Sequence, residues 1–315
     1  MKGPSYDFKF FYNRAVSLDY LDMAANKFIE YSNNSYIALV WPSAVGFDDE
    51  LEELIPNVIY KKQVNLTLNG AHNLLAEVYH GEEWLGDRQN NFSGFKGKLV
   101  ECFKSKNSLR VIAFQSESLK EVYKVKEKVR DIFKIGKHSI HITDTKQEAI
   151  RISRLVFNEN SLHFLNYARP NKFQSTFEQL NQFNLFLKEN NISNNEVIFD
   201  GSMVLSLYGI RKASDIDYLV DDYSKIVKKT FHQINNHFDE LKYHQKTNYE
   251  LIFNPKNYFY FNNFKFTSFD QLYSMKKKRI EGKDKYDLRL MKSFIEKNKL
   301  SLKINLIIQK LLYFN

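Results

Sequence analysis

Short apolar runs alternate with amphipathic segments along the first half of the chain, and this alternation constrains the fold more than any other feature. The strand-like runs cover residues 36–40, 58–68, 109–114 and 138–143. The segments with helical spacing of apolar residues cover 72–80, 118–133 and 144–157. Such alternation is typical of an α/β fold. Ser118, followed three residues later by Glu121, is predicted to cap the helix over 118–133.

A second set of segments follows a stretch, 166–174, that contains Pro170 and has no hydrophobic period. We therefore predict two domains, 1–168 and 169–315. In the second domain, strands are predicted at 196–200, 215–220, 249–253, 257–261 and 264–268. Helices are predicted at 177–190, 202–209, 224–238, 269–279, 283–297 and 302–314. The expected fold class is α/β (α+β), with an α/β domain of unknown type followed by a mixed sheet with flanking helices.

The composition excludes several classes of protein and favours anionic partners. No stretch of the 315 residues approaches the ~20 apolar residues that span a bilayer. The N-terminus lacks the apolar core of a signal peptide, and a single cysteine cannot form an intramolecular disulfide, so we expect a cytoplasmic protein. The net charge of +9 favours nucleotides, phosphosugars, nucleic acid or an anionic membrane surface, although lysines scattered through an Asn- and Lys-rich chain would give the same value.

Two aspartates and a Gly-Ser pair form the constellation with the clearest chemistry. Asp215 and Asp217 are alternate residues of a predicted strand, so both project from one face. Adjacent carboxylates repel each other unless a cation lies between them, and Mg²⁺ (or Mn²⁺) suits oxygen ligands. Gly201 and Ser202 open a predicted helix, where the backbone can approach a phosphate closely. These features predict a phosphate-binding turn beside a metal-binding pair, whereas a lone Asp-x-Asp is usually a solvated surface feature.

The segment IFDGSMVLSLYGIRKASDIDYLV, residues 198–220, resembles the signature of the polymerase-beta-like nucleotidyltransferase superfamily. In that family a Gly-Ser pair precedes an acidic-apolar-acidic strand. The resemblance implies transfer of a nucleoside monophosphate from an NTP to a hydroxyl or a phosphate. It also implies a third carboxylate on a neighbouring strand, a place that Glu250 fits. Asp200 departs from the pattern because an apolar residue often precedes the glycine, and Glu250 replaces the commoner aspartate.

The segment 250–291 resembles the end of small bacterial and phage proteins of this type, in which a Lys-x-x-Arg helix precedes a Lys-Asp-x-x-Asp element. The matching residues are Lys276, Arg279, Lys283, Asp284 and Asp287. Lys276 and Arg279 are predicted to neutralise a triphosphate, with a solvated basic helix face as the alternative. Helix capping and surface pairing are the favoured interpretation of Asp284 and Asp287.

Residues 1–168 contain further polar groups without a recognised activity. His72 and His80 suggest a metal or acid–base site, although buried or capping histidines are commoner. His138 and His141 are predicted to point to opposite faces of a strand, which argues against shared metal binding. The basic stretch comprises Tyr123, Lys126, Arg130, Lys134 and Lys137, and a solvated helix face is its favoured interpretation. The polar block 158–164 precedes the predicted boundary and could line a cleft.

The leading hypothesis is a Mg²⁺-dependent nucleotidyltransferase with an NTP as substrate. Asp215, Asp217 and Glu250 would hold the metal, and Glu250 would help to deprotonate the acceptor. The cofactor- and phosphate-binding residues would be Gly201, Ser202, Lys276 and Arg279. The acceptor would be a phosphosugar or other small molecule, an RNA or a protein, chosen by the first domain unless that domain carries a second activity. The alternatives are a non-catalytic nucleotide- or nucleic-acid-binding module and a component of a defence or toxin–antitoxin pair.

Overall fold

The computed structural model describes residues 18–225 and 233–313, and the chain divides into two compact units. The first unit runs to Asn166 and also includes the short segment Phe259–Asn263. The second unit comprises Tyr167–Tyr258 and resumes at Phe264. Within the described ranges, no helix is both long and apolar enough to cross a membrane. The predicted α/β (α+β) class is confirmed, because each unit combines helices with a sheet.

A four-stranded antiparallel sheet forms the centre of the first unit. Its strands are β1 (Ser35–Val40), β2 (Val58–Val64), β3 (Leu109–Gln115) and β4 (Ile140–Ile142), in the spatial order β2-β3-β1-β4. The helices are α1 (Leu18–Tyr31), α2 (Asp48–Leu54), α3 (Leu68–Val78), α4 (Lys96–Cys102), α5 (Leu119–Phe133), α6 (Lys146–Val156) and α7 (Glu159–Tyr167). From β1 to β4, the chain follows the β-α-β-β-α-β order of a split βαβ motif, with the helices α3 and α4 as an insertion between β2 and β3.

Both faces of this sheet are buried, because the strands carry apolar side chains on both sides. Ala38 and Val40 of β1 pack in a cluster with α2 and α5. The alternate residues Ile37 and Leu39 pack in a second cluster that includes α1, α3 and α6. A strand buried on both faces is continuously apolar, which is why residues 36–40 were recognisable as a strand from sequence.

Helix caps explain where several elements of the first unit begin and end. The Ser118 hydroxyl accepts a hydrogen bond from the backbone N–H of Glu121 at 3.3 Å, so the predicted start of α5 is confirmed. The predicted strand over 58–68 ends early, at Val64, because the Thr67 hydroxyl accepts from the N–H of Gly70 at 3.0 Å and starts α3.

The segment Phe259–Asn263 contributes side chains to the first unit from far along the chain. Phe164 of α7 stacks on Phe259 with a centroid separation of 4.6 Å and contacts Phe261 at 5.2 Å. The Ser161 hydroxyl accepts from the backbone N–H of Tyr260 at 2.9 Å. The first unit is therefore discontinuous in sequence.

A mixed sheet forms the second unit's core. Its strands are β5 (Val197–Asp200), β6 (Ile216–Val220), β7 (Ile234–Asn236) and β9 (Phe264–Thr267), in the order β7-β6-β5-β9. The strand β8 (Tyr258–Phe261) lies almost entirely within the segment Phe259–Asn263 of the first unit. β5 and β6 are antiparallel, whereas β5 with β9 and β6 with β7 are parallel. The helices are α8 (Ser175–Glu189), α9 (Ser202–Leu207), α10 (Leu241–His244), α11 (Asn248–Phe253), α12 (Phe269–Arg279) and α13 (Gly282–Tyr313). The predicted mixed sheet with flanking helices is confirmed.

Three predictions of local structure in the second unit are wrong. The strand predicted at 249–253 is helix α11, because Thr247 and Glu250 form a capping box at its start. The helix predicted at 224–238 lies partly outside the described residues, and its described end contains β7. The helices predicted at 283–297 and 302–314 are the single helix α13, because no glycine or proline separates them.

A buried ion pair ties β2 to α1. Lys62 Nζ lies 2.5 Å from Asp22 Oδ2, and the Tyr60 hydroxyl donates to Asp22 Oδ1 at 2.9 Å. The Lys62 and Asp22 side chains are only 5% and 2% exposed. Removing one member of such a pair leaves the other charge buried without compensation.

Replacing Lys62 with Met is expected to lower the free energy of unfolding by about 3 kcal/mol, because Asp22 would lose its cation. The neighbouring Lys61 pairs with the half-exposed Glu52, so Lys61→Met should cost less than about 1 kcal/mol. Urea unfolding followed by circular dichroism measures both values. Equal losses in the two variants would contradict the structural importance of the buried pair.

Candidate functional site

The antiparallel strands β5 and β6 bring Asp200, Asp215 and Asp217 together. Asp200, the last residue of β5, lies directly opposite Asp217 in the strand register. Asp215 immediately precedes β6, two residues before Asp217. Asp200 and Asp217 are 0% and 7% exposed, so both carboxylates lie largely out of water.

Gly201 lets the chain turn tightly over the Asp217 carboxylate. Its φ of 61° and ψ of −131° belong to a region that side chains other than glycine rarely adopt. A Cβ atom at this position would lie 2.4 Å from Asp217 Oδ2. Backbone conformation and space therefore both require glycine here.

Ser202 connects this turn to the other aspartate. Its hydroxyl donates to Asp215 Oδ1 at 3.0 Å, and the Ser214 hydroxyl donates to the same oxygen at 2.9 Å. The helix that Ser202 begins, α9, has only six residues, so its dipole gives little attraction for an anion. The structure thus shows Ser202 holding Asp215 in place, and the phosphate contact expected of Gly201 and Ser202 stays a prediction.

Two imidazoles lie against Asp200. His237 Nδ1 is 3.1 Å from Asp200 Oδ2, and its Nε2 is 3.3 Å from Asp217 Oδ1, so His237 bridges the two carboxylates. His244 Nε2 is 2.9 Å from Asp200 Oδ2. The Gln271 amide lies 3.2 Å from His244 Nδ1 and donates to the His244 carbonyl at 3.1 Å.

These partners set the pKa values of the two buried carboxylates in opposite directions. Burial alone would raise the pKa of Asp200, but the charges and hydrogen bonds of His244 and His237 hold it well below its usual range. Burial raises the pKa of Asp217 to about 6; Asp215 and Asp200 add to this effect, while His237 and Lys283 oppose it. A cation beside Asp217 would favour its ionised form.

Asp215 and Asp217 supply the oxygen ligands that Mg²⁺ prefers, but they do not form a complete metal cage. Among residues 18–225 and 233–313, no group of three or more His, Cys, Asp or Glu side chains is arranged to hold a metal ion. Protein-bound Mg²⁺ is commonly held by one or two carboxylates, with substrate phosphates completing its coordination. The carboxylates of Asp215 and Asp217 therefore fit a cation that binds together with a nucleotide.

The structure does not bring Glu250 to this carboxylate pair. Its carboxylate accepts from the backbone N–H of Thr247 at 2.8 Å and from the Thr247 hydroxyl at 3.0 Å, and it is exposed to solvent. The side chain of Asn248, in the same turn, donates to the carbonyls of Val220 and Asp221 at the far end of β6. That end lies roughly 10 Å from Asp217 at the usual rise of a strand. Glu250, which was expected to be the third carboxylate on a neighbouring strand, is therefore a capping residue of helix α11.

Lys276 and Arg279 are already neutralised by aspartates, which corrects their expected role at a triphosphate. Lys276 Nζ lies 3.0 Å from Asp284 Oδ1 and 2.9 Å from Asp287 Oδ2. Arg279 donates to both oxygens of Asp284 at 2.9 Å, and Arg211 donates to both oxygens of Asp287 at 2.6 and 2.8 Å. Asp284 and Asp287 are 0% and 1% exposed, so the expected surface pairing is a buried network between α12 and α13.

Asp200, His237 and His244 are the site residues whose role the sequence did not reveal. The sequence contained one signal for Asp200, which ends the apolar run 197–200: a carboxylate in a buried strand needs a partner. The histidines had no such signal, since they lie 37 and 44 residues beyond Asp200.

Comparisons of the chain with protein-family models, curated proteins and solved structures found no match.

Replacing Gly201 with Ala is expected to lower the free energy of unfolding by about 2 kcal/mol, because the new methyl group meets Asp217 and the backbone conformation is strained. Gly282→Ala is the matched control, since a Cβ there meets nothing within 4 Å. The control should change stability by no more than about 1 kcal/mol. Thermal unfolding distinguishes the two, and equal effects would contradict the close approach at Gly201.

Asp284→Asn is expected to destabilise the protein strongly at neutral pH and progressively less in acid. Burial would raise the pKa of Asp284, but the hydrogen bonds and charges of Arg279 and Lys276 lower it to about 2. A depressed pKa stabilises the fold above the unfolded pKa of about 3.9, and this stabilisation is lost as the pH falls toward the folded value. The free-energy difference between wild type and variant should shrink by about 1 kcal/mol between pH 5 and pH 3. Urea unfolding at each pH measures it, and a constant difference would refute the ion pairing.

Proposed function

We propose that the second unit is a nucleotidyltransferase, which binds an NTP with Mg²⁺ (or Mn²⁺) at Asp215 and Asp217 and transfers the nucleoside monophosphate to an acceptor. The observation that best supports the proposal is the close fit of Gly201 over the Asp217 carboxylate. The hydroxyl of the next residue, Ser202, holds Asp215 at 3.0 Å. The Gly-Ser turn and the acidic pair are thus one structural unit, as their resemblance to the polymerase-beta-like nucleotidyltransferases implies.

The residues around this pair have positioning roles in the proposed reaction. A bound Mg²⁺ would neutralise phosphate oxygens and orient the triphosphate. Ser202 and Ser214 fix Asp215 through hydrogen bonds to one oxygen, which leaves its other oxygen for a ligand. His237 Nε2 contacts Asp217 Oδ1, and its Nδ1 is anchored on Asp200.

Lys283 is the cation that we propose for the triphosphate, in place of Lys276 and Arg279. Its side chain is exposed, and its charge reaches Asp217, where it opposes the effect of burial on the pKa. Lys276 and Arg279 are committed to Asp284. An exposed lysine whose charge already acts on Asp217 can approach a phosphate without breaking a buried ion pair.

The acceptor in this proposal carries a hydroxyl or phosphate group and belongs to a small molecule such as a phosphosugar, to an RNA or to a protein. The compartment that we propose is the cytoplasm, where the NTP substrate is made.

A non-catalytic nucleotide-binding module is the second candidate, and the position of Glu250 favours it. With Glu250 capping α11, the described residues bring two acidic ligands to the site beside the histidine-bound Asp200. A cation would then be held more weakly than by three carboxylates, and Glu250 could not deprotonate an acceptor there. The net charge of +9 also suits retention of a nucleotide or nucleic acid without turnover.

The decisive experiment incubates the full chain with each α-³²P-labelled NTP, Mg²⁺ or Mn²⁺, and separate pools of small metabolites, RNA and protein. We expect label to enter one pool, and Asp215→Asn or Asp217→Asn to reduce the rate roughly 100-fold or more, because several kcal/mol of charge stabilisation would be lost. Asp239→Asn, an exposed aspartate of the same unit, is the matched control and should retain full activity.

Three outcomes separate the candidates. Transfer that depends on both aspartates supports the nucleotidyltransferase. Mg²⁺-dependent NTP binding that requires Asp217, without any transfer, supports the binding module. Transfer that persists in both variants would sink the proposed site.

A further inference from the structure

A second site is suggested by a cavity of about 500 Å³ in the first unit, beside the edge strand β4. The cavity is formed by the end of α3, by α4 and α5, and by β4 with the start of α6. Its volume lies in the range of small-molecule binding sites. None of its lining residues belongs to the second unit.

Cationic side chains dominate the lining, with five Lys or Arg residues against three carboxylates. The cations come from three helices and one loop, and they are Lys98, Lys126, Arg130, Lys137 and Arg151. In sequence, part of this set looked like a solvated helix face, but the fold gathers it around one concavity. Convergence of positive charge in a cleft raises the local concentration of anions.

The five cations outnumber the carboxylates that line the cavity, although Arg130 Nη1 also pairs with Glu127, outside the lining, at 2.6 Å. Glu148 accepts from His141 Nε2 at 2.8 Å and from the backbone N–H of Asp144 at 3.0 Å, so it is already occupied. The Nε atoms of Arg130 and Arg151 are buried and have no hydrogen-bond partner among the described residues. Buried donors without acceptors are costly unless a ligand supplies the acceptor.

The cationic side chains of the cavity affect one another's pKa values. Burial lowers the pKa of Lys98, and the neighbouring charges of Lys137, Arg130 and Lys126 lower it further. Burial also lowers the pKa of Lys126; Asp144 and Glu148 oppose this effect, and Arg130 adds to it. An anion between these groups would relieve their repulsion.

An aromatic wall stands beside the cations. The indole of Trp84 is 46% exposed, although it packs at 5.1 Å on the ring of Tyr79. Its Nε1 donates to Glu82 at 3.2 Å, which orients the ring. Lys98 Nζ lies 4.7 Å from the Tyr79 ring centre and so connects the aromatic wall to the cationic one. Exposed aromatic faces next to basic groups suit the stacking of nucleobases.

We propose that this cavity binds a nucleotide, with its phosphate among Lys98, Lys126 and Arg130 and its base against Trp84. Binding needs no divalent cation, because the side chains of the protein neutralise the phosphate directly. The site is therefore independent of the carboxylate pair of the second unit.

The test uses the full chain carrying Asp217→Asn, in EDTA, so that metal-dependent binding in the second unit cannot contribute. AMP, adenosine and inorganic phosphate are titrated separately by calorimetry and by tryptophan fluorescence. The chain has two tryptophans, and Trp41 is fully buried, so quenching reports on Trp84. AMP should bind and quench, adenosine should fail to bind, and phosphate should compete with AMP without quenching.

The paired variant carries both Lys98→Met and Lys126→Met, so that it keeps the apolar parts of the two side chains and removes their two charges. We expect AMP affinity to fall at least about tenfold, because charge-assisted hydrogen bonds to phosphate are lost. The melting temperature should stay the same or rise, because repulsion is relieved. Lys128→Met, an exposed lysine of α5 outside the cavity, is the matched control and should leave affinity unchanged.

Absence of AMP binding, or equal AMP affinity in the paired variant and wild type, would overturn the proposal. Tight binding of a single-stranded oligonucleotide in place of AMP would also overturn it, in favour of a nucleic-acid surface. If the paired variant loses thermal stability, replacement of both lysines by arginine must restore AMP binding, and failure to restore it would count against the site. None of these outcomes affects the label-transfer experiment, which depends on Mg²⁺ and Asp215.

Discussion

The register that pairs Asp200 with Asp217 is the constraint around which the second unit is built. Two carboxylates at the buried ends of adjacent strands would be unstable without compensation, because burial disfavours their charge. The compensation comes from two histidines, one following β7 and one ending α10, with Gln271 of α12 fixing the second. The buried charge of Asp200 thus ties together β7, α10 and α12 through these contacts. Gly201 has no side chain and therefore leaves room for the Asp217 carboxylate.

Charges in this protein fall into two groups according to their partners. Asp200, Asp284 and Asp287 each have cationic or imidazole partners at hydrogen-bond distance, and these contacts tie elements together. Asp217 differs, because its contact with His237 does not offset burial and its acidic neighbours, which raise its pKa to about 6. The basic cavity of the first unit is the reverse case, with excess cations and few acceptors. Incompletely compensated charges in concave or buried places are where ligand binding is most favourable, and this contrast distinguishes the two proposed sites from the structural ion pairs.

Features encoded by neighbouring residues were predictable from sequence, and features that depend on tertiary contacts were not. Strand β1 and the cap of α5 follow from local patterns of residues. The segment 249–253 was misjudged because its aromatic and branched residues suit a strand, although Thr247 and Glu250 carry the capping signal that prevails. The pairing of Lys276 with Asp287 depends on how two helices pack, and neither residue's neighbours indicate it.

The discontinuous first unit has a consequence for how the chain acquires its structure during synthesis. Phe259 and the residues up to Asn263 supply part of the first unit's packing, yet they are translated roughly a hundred residues after Asn166. At about 5–20 residues per second, the ribosome adds them roughly 5–20 s later. During that interval Phe164 lacks its stacking partner and the nascent first unit exposes apolar surface, so chaperones have a defined window in which to act. The packing of the first unit is thus completed only after residues 167–258 of the second unit have been translated.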